Sequence, residues 1–145
     1  MGGPERAAHV GARGRSGEDG RWLRLDLPHE LRSIAVARRA VGALCGDFGG
    51  DLRRDVELCV SELVANAVLH ARSAVHLEAN VRVGMVRIEV HDDSTVAPVV
   101  LEPSHDRAHG RGLSIVVALA RDWGWEPVPG GKVVWAELGG APGRR

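Results

Sequence analysis

The strictest pattern in this chain is a pair of alternating stretches, residues 75–81 and 86–91, separated by a short turn at Gly84. Apolar side chains occupy every second position of both stretches, and polar or charged side chains occupy the positions between them. A two-residue period places successive side chains on opposite faces of a strand. The pattern therefore predicts an antiparallel hairpin with one face covered by the rest of the protein and one face in water.

Helical and extended patterns surround this hairpin and define the fold class. Gly49 and Gly50 end the first predicted helix, and Asp51 is expected to cap the second. The predicted elements are a strand over residues 23–27, a helix with an apolar stripe from Leu31 to Phe48, a helix from residue 51 to about 70, a helix over 112–120, and strands near 123–126 and 133–138. This order predicts a two-layer α/β sandwich with a mostly antiparallel sheet and helices on one face.

The length of 145 residues suits one domain, here residues 21–139. Residues 1–20 are rich in glycine and lack an apolar period, so we expect a disordered N-terminal tail. Residues 140–145 are expected to form a short C-terminal tail.

Charge and composition restrict the function classes. The chain carries 19 Lys and Arg against 19 Asp and Glu, and this balance argues against direct binding of nucleic acid or an anionic membrane. No apolar stretch approaches the roughly 20 residues that span a bilayer, and no signal-peptide pattern follows Met1, so a cytoplasmic location is expected. Cys45 and Cys59 lie among apolar residues and are expected to be buried and unpaired.

Three polar residues follow one edge of the second predicted helix. Glu62, Asn66 and His70 are spaced four residues apart, so they lie one above another on a side that adjoins the apolar stripe. A carboxylate one turn from a carboxamide can serve one hydrated Mg²⁺, with the amide oxygen as ligand and the carboxylate orienting a water or hydroxyl. A solvated helix edge has the same spacing, so both interpretations stay open from the sequence.

Asp92 continues the apolar phase of the second hairpin strand. It follows Ile88 and Val90 at the same two-residue interval, which turns its carboxylate toward the covered face. A carboxylate there needs donors because an unpaired buried charge is costly. The amino group of an adenine would be one donor, and a backbone N–H of the following turn would be another. Asp93 has the opposite phase and is expected to be exposed.

The segment Gly110-Arg111-Gly112-Leu113 opens the third predicted helix. Glycines let the backbone approach a ligand closely, and a helix N-terminus presents free N–H groups that suit phosphate. Two glycines before a helix also form ordinary tight turns. The sequence has no Walker motif, and a long loop rather than a strand precedes this segment, so Walker-type and Rossmann-type phosphate sites are excluded.

Taken in this order, the features resemble the histidine-kinase-like ATPase superfamily, and within it the small bacterial anti-sigma-factor serine kinases. The resemblance covers about residues 23–138. It is carried by the segments SELVANAVLHA at 61–71, VRIEVHDDS at 86–94, GRGLSIVVALA at 110–120 and GGKVVWAEL at 130–138.

The resemblance implies a role for each residue that matches the motifs of the helix and the strand. ATP would bind between the helices and the sheet. Glu62 matches the general base of the family, and Asn66 matches its Mg²⁺ ligand. His70 falls where a residue near the phosphates is often found, and Asp92 matches the aspartate that reads adenine.

The resemblance also implies a phosphate cradle and a lid. Gly110 and Gly112 match the glycines that hold the phosphates, and Arg111 and Leu113 belong to the same cofactor-binding segment. The loop Ser94–His109 would be the mobile lid over the nucleotide.

Some positions depart from the family pattern. Ser94 and Val96 stand in place of the two glycines of an Asp-x-Gly-x-Gly sequence, and Val96 is expected to narrow the pocket. Val133 stands where a hydroxyl residue often follows the lysine, which would remove a water-mediated contact to the base. Lys132, the only lysine, is itself expected in a solvated turn.

The resemblance implies an Mg-ATP-dependent serine/threonine kinase that acts as an anti-sigma factor. Its protein partners would be an anti-sigma-factor antagonist and a sigma factor. The alternative is a nucleotide-binding module that sequesters a partner without significant phosphotransfer, which the lost glycines favour modestly. The sequence leaves open whether the chain forms a homodimer.

Overall fold

Side chains that alternate along the sequence form a sheet with one covered face. The computed structural model describes residues 8–13, 20–98, 100 and 112–140. In chain order, the elements are β1 (Ala8–Arg13), β2 (Gly20–Leu27), α1 (Arg32–Leu44), α2 (Gly50–His70), β3 (Val75–Arg82), β4 (Met85–Asp92), α3 (Gly112–Leu119), β5 (Asp122–Val128) and β6 (Gly131–Gly139).

The strands form one six-stranded sheet in the order β1-β2-β3-β4-β6-β5, and every neighbouring pair is antiparallel. The inward side chains of the central strands pack with those of the helices in one hydrophobic core, which includes Leu25, Leu77, Ile88, Ala136 and Leu138. The predicted two-layer α/β sandwich is confirmed, because each strand buries one side of its alternating pattern under the helices.

The helices bury the stripes that their sequences indicate, with two corrections. Cys59 and Leu63 of α2 are in the core, whereas Leu31, predicted on the stripe of α1, is 70% exposed because the helix begins after it. Asp51 lies inside the first turn of α2 rather than at its cap, which is Gly49, and its carboxylate forms no capping hydrogen bond. At that position its charge still faces the positive end of the helix.

Both cysteines are free and fully buried, as predicted. Burial raises the pKa of the Cys45 thiol to about 11 and that of Cys59 to about 12. Both thiols therefore stay protonated at neutral pH, and they fill the core as small apolar groups.

The N-terminal segment differs from its prediction as a disordered tail over residues 1–20. Strand β1 pairs with β2 from Ala8 opposite Leu25 to Arg13 opposite Gly20. The expectation is wrong for this stretch because a strand at a sheet edge is held by backbone hydrogen bonds, which need no apolar period. Residues 1–7 and 14–19 lie outside the described residues, as do residues 141–145 of the predicted C-terminal tail.

Helix α2 runs along the sheet in the direction of β4. Near its beginning, Leu52 lies close to Gly139, which is opposite Met85 at the start of β4. Just after its end, the backbone N–H of Arg72 donates to Oδ1 of Asp93 at 2.9 Å, one residue beyond β4. The C-terminal half of α2 therefore lies at the end of the sheet where β4 ends.

Candidate functional site

A buried ion pair joins the end of β4 to the start of β6. Lys132 Nζ lies 3.2 Å from Oδ2 and 3.3 Å from Oδ1 of Asp92, and the two side chains are 3% and 2% exposed. The strands are in tight contact here, since a Cβ on Gly131 would lie 1.8 Å from the carbonyl oxygen of Asp92. The predicted inward direction of the Asp92 carboxylate is thereby confirmed, and its principal partner is a lysine.

Lys132 is the residue that the sequence interpretation placed wrongly. It was expected in a solvated turn, but β6 begins one residue earlier, at Gly131. Lys132 has the same two-residue phase as Val134 and Ala136, which are in the core. Extending the alternation backward by one step would have predicted an inward lysine opposite Asp92.

The turn after β4 supplies a second donor to Asp92. The backbone N–H of Ser94 donates to Oδ1 at 2.8 Å, and the N–H of Val96 donates to the Ser94 hydroxyl oxygen at 3.2 Å. Ser94 therefore organises this turn through its side chain, where a glycine could not. The Val96 side chain is 68% exposed, which contradicts the expectation that it narrows the pocket.

Val133 also has a different environment from the one expected. It is opposite His91 of β4 in the register, and the phase of both residues is opposite to that of Asp92. The side chain of Val133 therefore lies on the far face of the sheet. Valine at position 133 therefore does not remove a water-mediated contact to a base on the face of the sheet that carries Asp92.

The predicted polar edge of α2 exists. Glu62 and Asn66 are half-buried, and His70, in the last turn, is exposed. Within the part of the chain that the structure describes, the side chains of Glu62 and Asn66 form no hydrogen bond or ion pair with protein. Burial raises the pKa of the Glu62 carboxyl above its ordinary value of 4.5. At this edge of α2, burial disfavours the charged form of the Glu62 carboxyl, and the Asn66 amide is available to bind a ligand.

Two hydrogen bonds hold the C-terminal end of α2 in place. Asp93 accepts the Arg72 N–H, and this contact, together with a hydrogen bond from the Ser73 side chain, lowers the pKa of Asp93. His29 Nε2 lies 2.6 Å from the carbonyl oxygen of Val68, which belongs to the last helical turn. Asp93 is exposed as predicted and has a structural role at this junction.

Helix α3 packs beside α2 and begins at Gly112. Just beyond its C-terminal end, the N–H of Arg121 donates to the carbonyl oxygen of Glu137 at 2.8 Å, so Gly112 marks the helix end away from Glu137. Leu113 is buried in the core, which leaves its backbone N–H, and not its side chain, for a ligand. Gly110 and Arg111 lie outside the described residues, as do residues 101–109 of the expected lid.

The structure brings Asp92 and the C-terminal half of α2 to one end of the domain. Two cavities, of about 420 and 450 Å³, lie elsewhere. The larger of these is lined by residues of the β2–β3 and β3–β4 region around Val81 and Gly84, and the other opens on the face of the sheet that the helices leave uncovered. Neither is lined by Glu62, Asn66 or Asp92.

Comparison with known protein families matches residues 27–138 to the histidine kinase-like ATPase domain. The match includes all three helices, the strands β3 to β5 and all of β6 except Gly139, and it covers more than half of the chain. The chain therefore belongs to the histidine kinase-like ATPase family, a family of ATP-binding domains. No curated protein matches the sequence. Among the described residues, no helix has the length and apolar character needed to cross a membrane.

Removing one member of the buried ion pair should be much more costly than removing both charges. We expect Lys132→Met to lower the free energy of unfolding by about 3–5 kcal/mol, because Asp92 would remain buried without its cation. Combined with Asp92→Asn, the loss should be smaller than the sum of the two single losses by about 1–3 kcal/mol. Urea unfolding of the four proteins measures this coupling, and additive losses would contradict it.

Replacing Glu62 should stabilise the protein at neutral pH. A raised pKa means that folding disfavours the charged carboxylate, so Glu62→Gln is expected to increase the free energy of unfolding at pH 7 by about 0.5–1 kcal/mol. The gain should vanish as the pH falls below 4.5, where the carboxyl is protonated in both states. Thermal unfolding from pH 4 to 8 tests this.

Glu57→Gln is the matched control, because Glu57 lies on the same helix but pairs with Arg53 at 3.1 Å. That change should cost about 0.3–0.5 kcal/mol at pH 7. A stability loss of similar size in both variants would count against the assigned environment of Glu62.

Proposed function

We propose that this chain is an Mg-ATP-dependent serine/threonine kinase of a small regulatory protein in the cytoplasm. The partner that fits the family resemblance is an anti-sigma-factor antagonist, and the chain would then act as an anti-sigma factor that also holds a sigma factor. The observation that carries the proposal is the edge of α2, where the half-buried side chains of Glu62 and Asn66 form no hydrogen bond or ion pair with the residues that the structure describes.

Glu62 is suited to the role of general base. Its pKa is raised by burial, and a carboxylate with a raised pKa accepts a proton more readily at neutral pH. It has no competing hydrogen bond or ion pair within the described residues. In the proposed reaction, Glu62 orients the hydroxyl of the partner and accepts its proton.

Asn66 is suited to hold Mg²⁺, which prefers oxygen ligands and retains several waters. Its amide is half-buried, one helical turn beyond Glu62, and forms no hydrogen bond within the described part of the chain. When bound, Mg²⁺ would offset the negative charge of the phosphates. His70, one further turn along, lies on the exposed part of the same edge and would stand beside the phosphates.

Asp92 keeps the capacity to accept a hydrogen bond from adenine. An ionised carboxylate offers about four lone-pair positions. Ser94 N–H and Lys132 Nζ use two positions on Oδ1, and Lys132 uses one on Oδ2. One position on Oδ2 therefore remains for the adenine amino group, and Lys132 holds the carboxylate in place.

In the proposed transfer, a bond forms between the partner's hydroxyl oxygen and the γ-phosphorus while the bond from that phosphorus to the β-bridging oxygen breaks. The hydroxyl proton passes to Glu62, and ADP leaves. Gly110, Gly112 and the N–H groups of Arg111 and Leu113 would hold the phosphates at the start of α3.

A nucleotide-binding module without phosphotransfer is the second candidate. The buried ammonium of Lys132 favours it, because adenine must share Asp92 with this cation. The exposed side chain of Val96 weakens the argument for this module from the lost glycines. The two candidates differ in a single observable, the transfer of phosphate.

Phosphotransfer should depend on Glu62 while nucleotide binding does not. With [γ-³²P]ATP, Mg²⁺ and a purified anti-sigma-factor antagonist, Glu62→Gln is expected to reduce labelling of the antagonist by about 10²–10⁴-fold, the usual contribution of a general base. Calorimetry should show ATP affinity within a few-fold of the wild type. Glu57→Gln is again the control, and it should label the antagonist at the wild-type rate.

ATP binding without labelling by the wild type would favour the sequestering module over the kinase. Equal labelling by Glu62→Gln and the wild type would remove Glu62 from the catalytic role. Asp93→Ala is unsuitable as a control because it releases the end of α2.

Adenine recognition can be tested by changing the ligand, which leaves the Asp92–Lys132 pair intact. Purine riboside triphosphate lacks the amino group, and a hydrogen bond to a charged acceptor contributes about 1.5–3 kcal/mol. We therefore expect calorimetry to show binding weaker than that of ATP by about 10- to 100-fold. Equal affinities would show that Asp92 does not read the amino group.

A further inference from the structure

The uncovered face of the sheet carries a second polar cluster, on the side away from Asp92. The sequence His76-Leu77-Glu78 of β3 pairs with Glu89-Val90-His91 of β4, so that His76 is opposite His91 and Glu78 is opposite Glu89. Leu77 and Val90 point into the core. The two histidines and two glutamates therefore share the solvent-facing side of two rigid, paired strands.

Three of these side chains converge. The ligand atoms of Glu78, Glu89 and His91 all lie within 4.8 Å of one another. His91 Nε2 is 3.8 Å from Glu89 Oε2, too far for a hydrogen bond. Two carboxylates directly opposite each other across a strand pair repel, and the guanidinium groups of Arg24 and Arg87 partly offset this repulsion.

His91 Nε2 is the independent observation that points to a ligand. It is buried, and among the described residues it is the one buried side-chain nitrogen or oxygen without a hydrogen-bond partner. A buried polar atom without a partner costs about 1–3 kcal/mol. Because this nitrogen lies beside the two carboxylates, an ion bound among them would satisfy it.

Both ring nitrogens of His76 lie beside carboxylates, and one of these carboxylates belongs to the cluster. Its Nδ1 is 2.7 Å from Oδ1 of Asp26, and its Nε2 is 3.3 Å from Oε1 of Glu78. A carboxylate on one ring nitrogen fixes the tautomer and aims the other nitrogen at the metal. Its ring meets that of His91 edge-on, with the centroids 5.6 Å apart.

We propose that Glu78, Glu89 and His91 form a binding site for a divalent transition-metal ion of the zinc class, with His76 as the nearest further ligand. Nitrogen and carboxylate oxygen are ligands that Zn²⁺ accepts, at about 2.0–2.2 Å. Two carboxylates also match the charge of a divalent cation.

Metal binding requires the ligand atoms of the three residues to move closer together. Bonds of about 2.1 Å at tetrahedral angles place ligand atoms roughly 3–3.5 Å apart, and the present atoms lie within 4.8 Å. Glu78 and Glu89 also contact Arg24 and Arg87, at 3.2 and 3.0 Å, and the ion would displace these half-exposed pairs. Access is open, since both glutamates line the cavity of about 420 Å³ on this face.

The site is separate from the proposed nucleotide site because the sheet lies between them. Zinc titration of the full-length chain without nucleotide, followed by calorimetry and by competition with a chromogenic chelator, should show a saturable site of one ion per chain. We expect Glu89→Gln and His91→Gln each to weaken zinc binding by at least about tenfold. Circular dichroism checks that both variants remain folded.

Glu126→Gln, which changes an exposed glutamate on β5, is the matched control and should bind zinc as the wild type does. Zinc binding of equal strength in the wild type, Glu89→Gln and His91→Gln would overturn the proposal, because the ion would then be held elsewhere. Absence of saturable binding by the wild type would overturn it as well. Neither result would bear on ATP binding or phosphotransfer.

Discussion

The pairing of β3 with β4 keeps two chemically opposite sets of side chains on the two faces of one sheet. The inward set joins a continuous apolar core with α1, α2 and α3, and the outward set is mostly polar and charged. A slip of one residue in the register would exchange the two sets, so burial of the core fixes the register. Both candidate sites follow from that register, with Asp92 inward and His91 outward.

The sequence predicted those parts of the fold that depend on local periodicity. The hairpin, the stripe of α2 and the inward direction of Asp92 follow from the spacing of apolar residues. Strand β1 was missed because its pairing depends on the exposed edge of β2, which no local pattern reveals. The partner of Asp92 was missed for a related reason, since Lys132 is 40 residues away and the start of β6 was placed two residues late.

Asp92 and Glu62, the two acidic residues of the proposed site, have opposite effects on the stability of the fold. Asp92 is bound into the fold by Lys132 and Ser94, so its substitution changes the structure of this end of the sheet as well as any contact to adenine. Glu62 is half-buried and has no hydrogen-bond or ion-pair partner among the residues with described positions, an arrangement that weakens the folded state and that proteins retain at functional positions. The α2 edge and the family match are both consistent with ATP binding.

Strand β1 occupies the outer edge of β2, and β5, at the opposite edge of the sheet, carries Pro127. An uncovered edge presents unpaired backbone groups that recruit strands from other molecules, and proline is one of the residues that discourage such pairing. In a protein shortened to begin after residue 19, β2 would therefore become an edge strand with unpaired backbone groups. Aggregation of such a truncated form would result from this exposed strand edge and not from a loss of nucleotide binding.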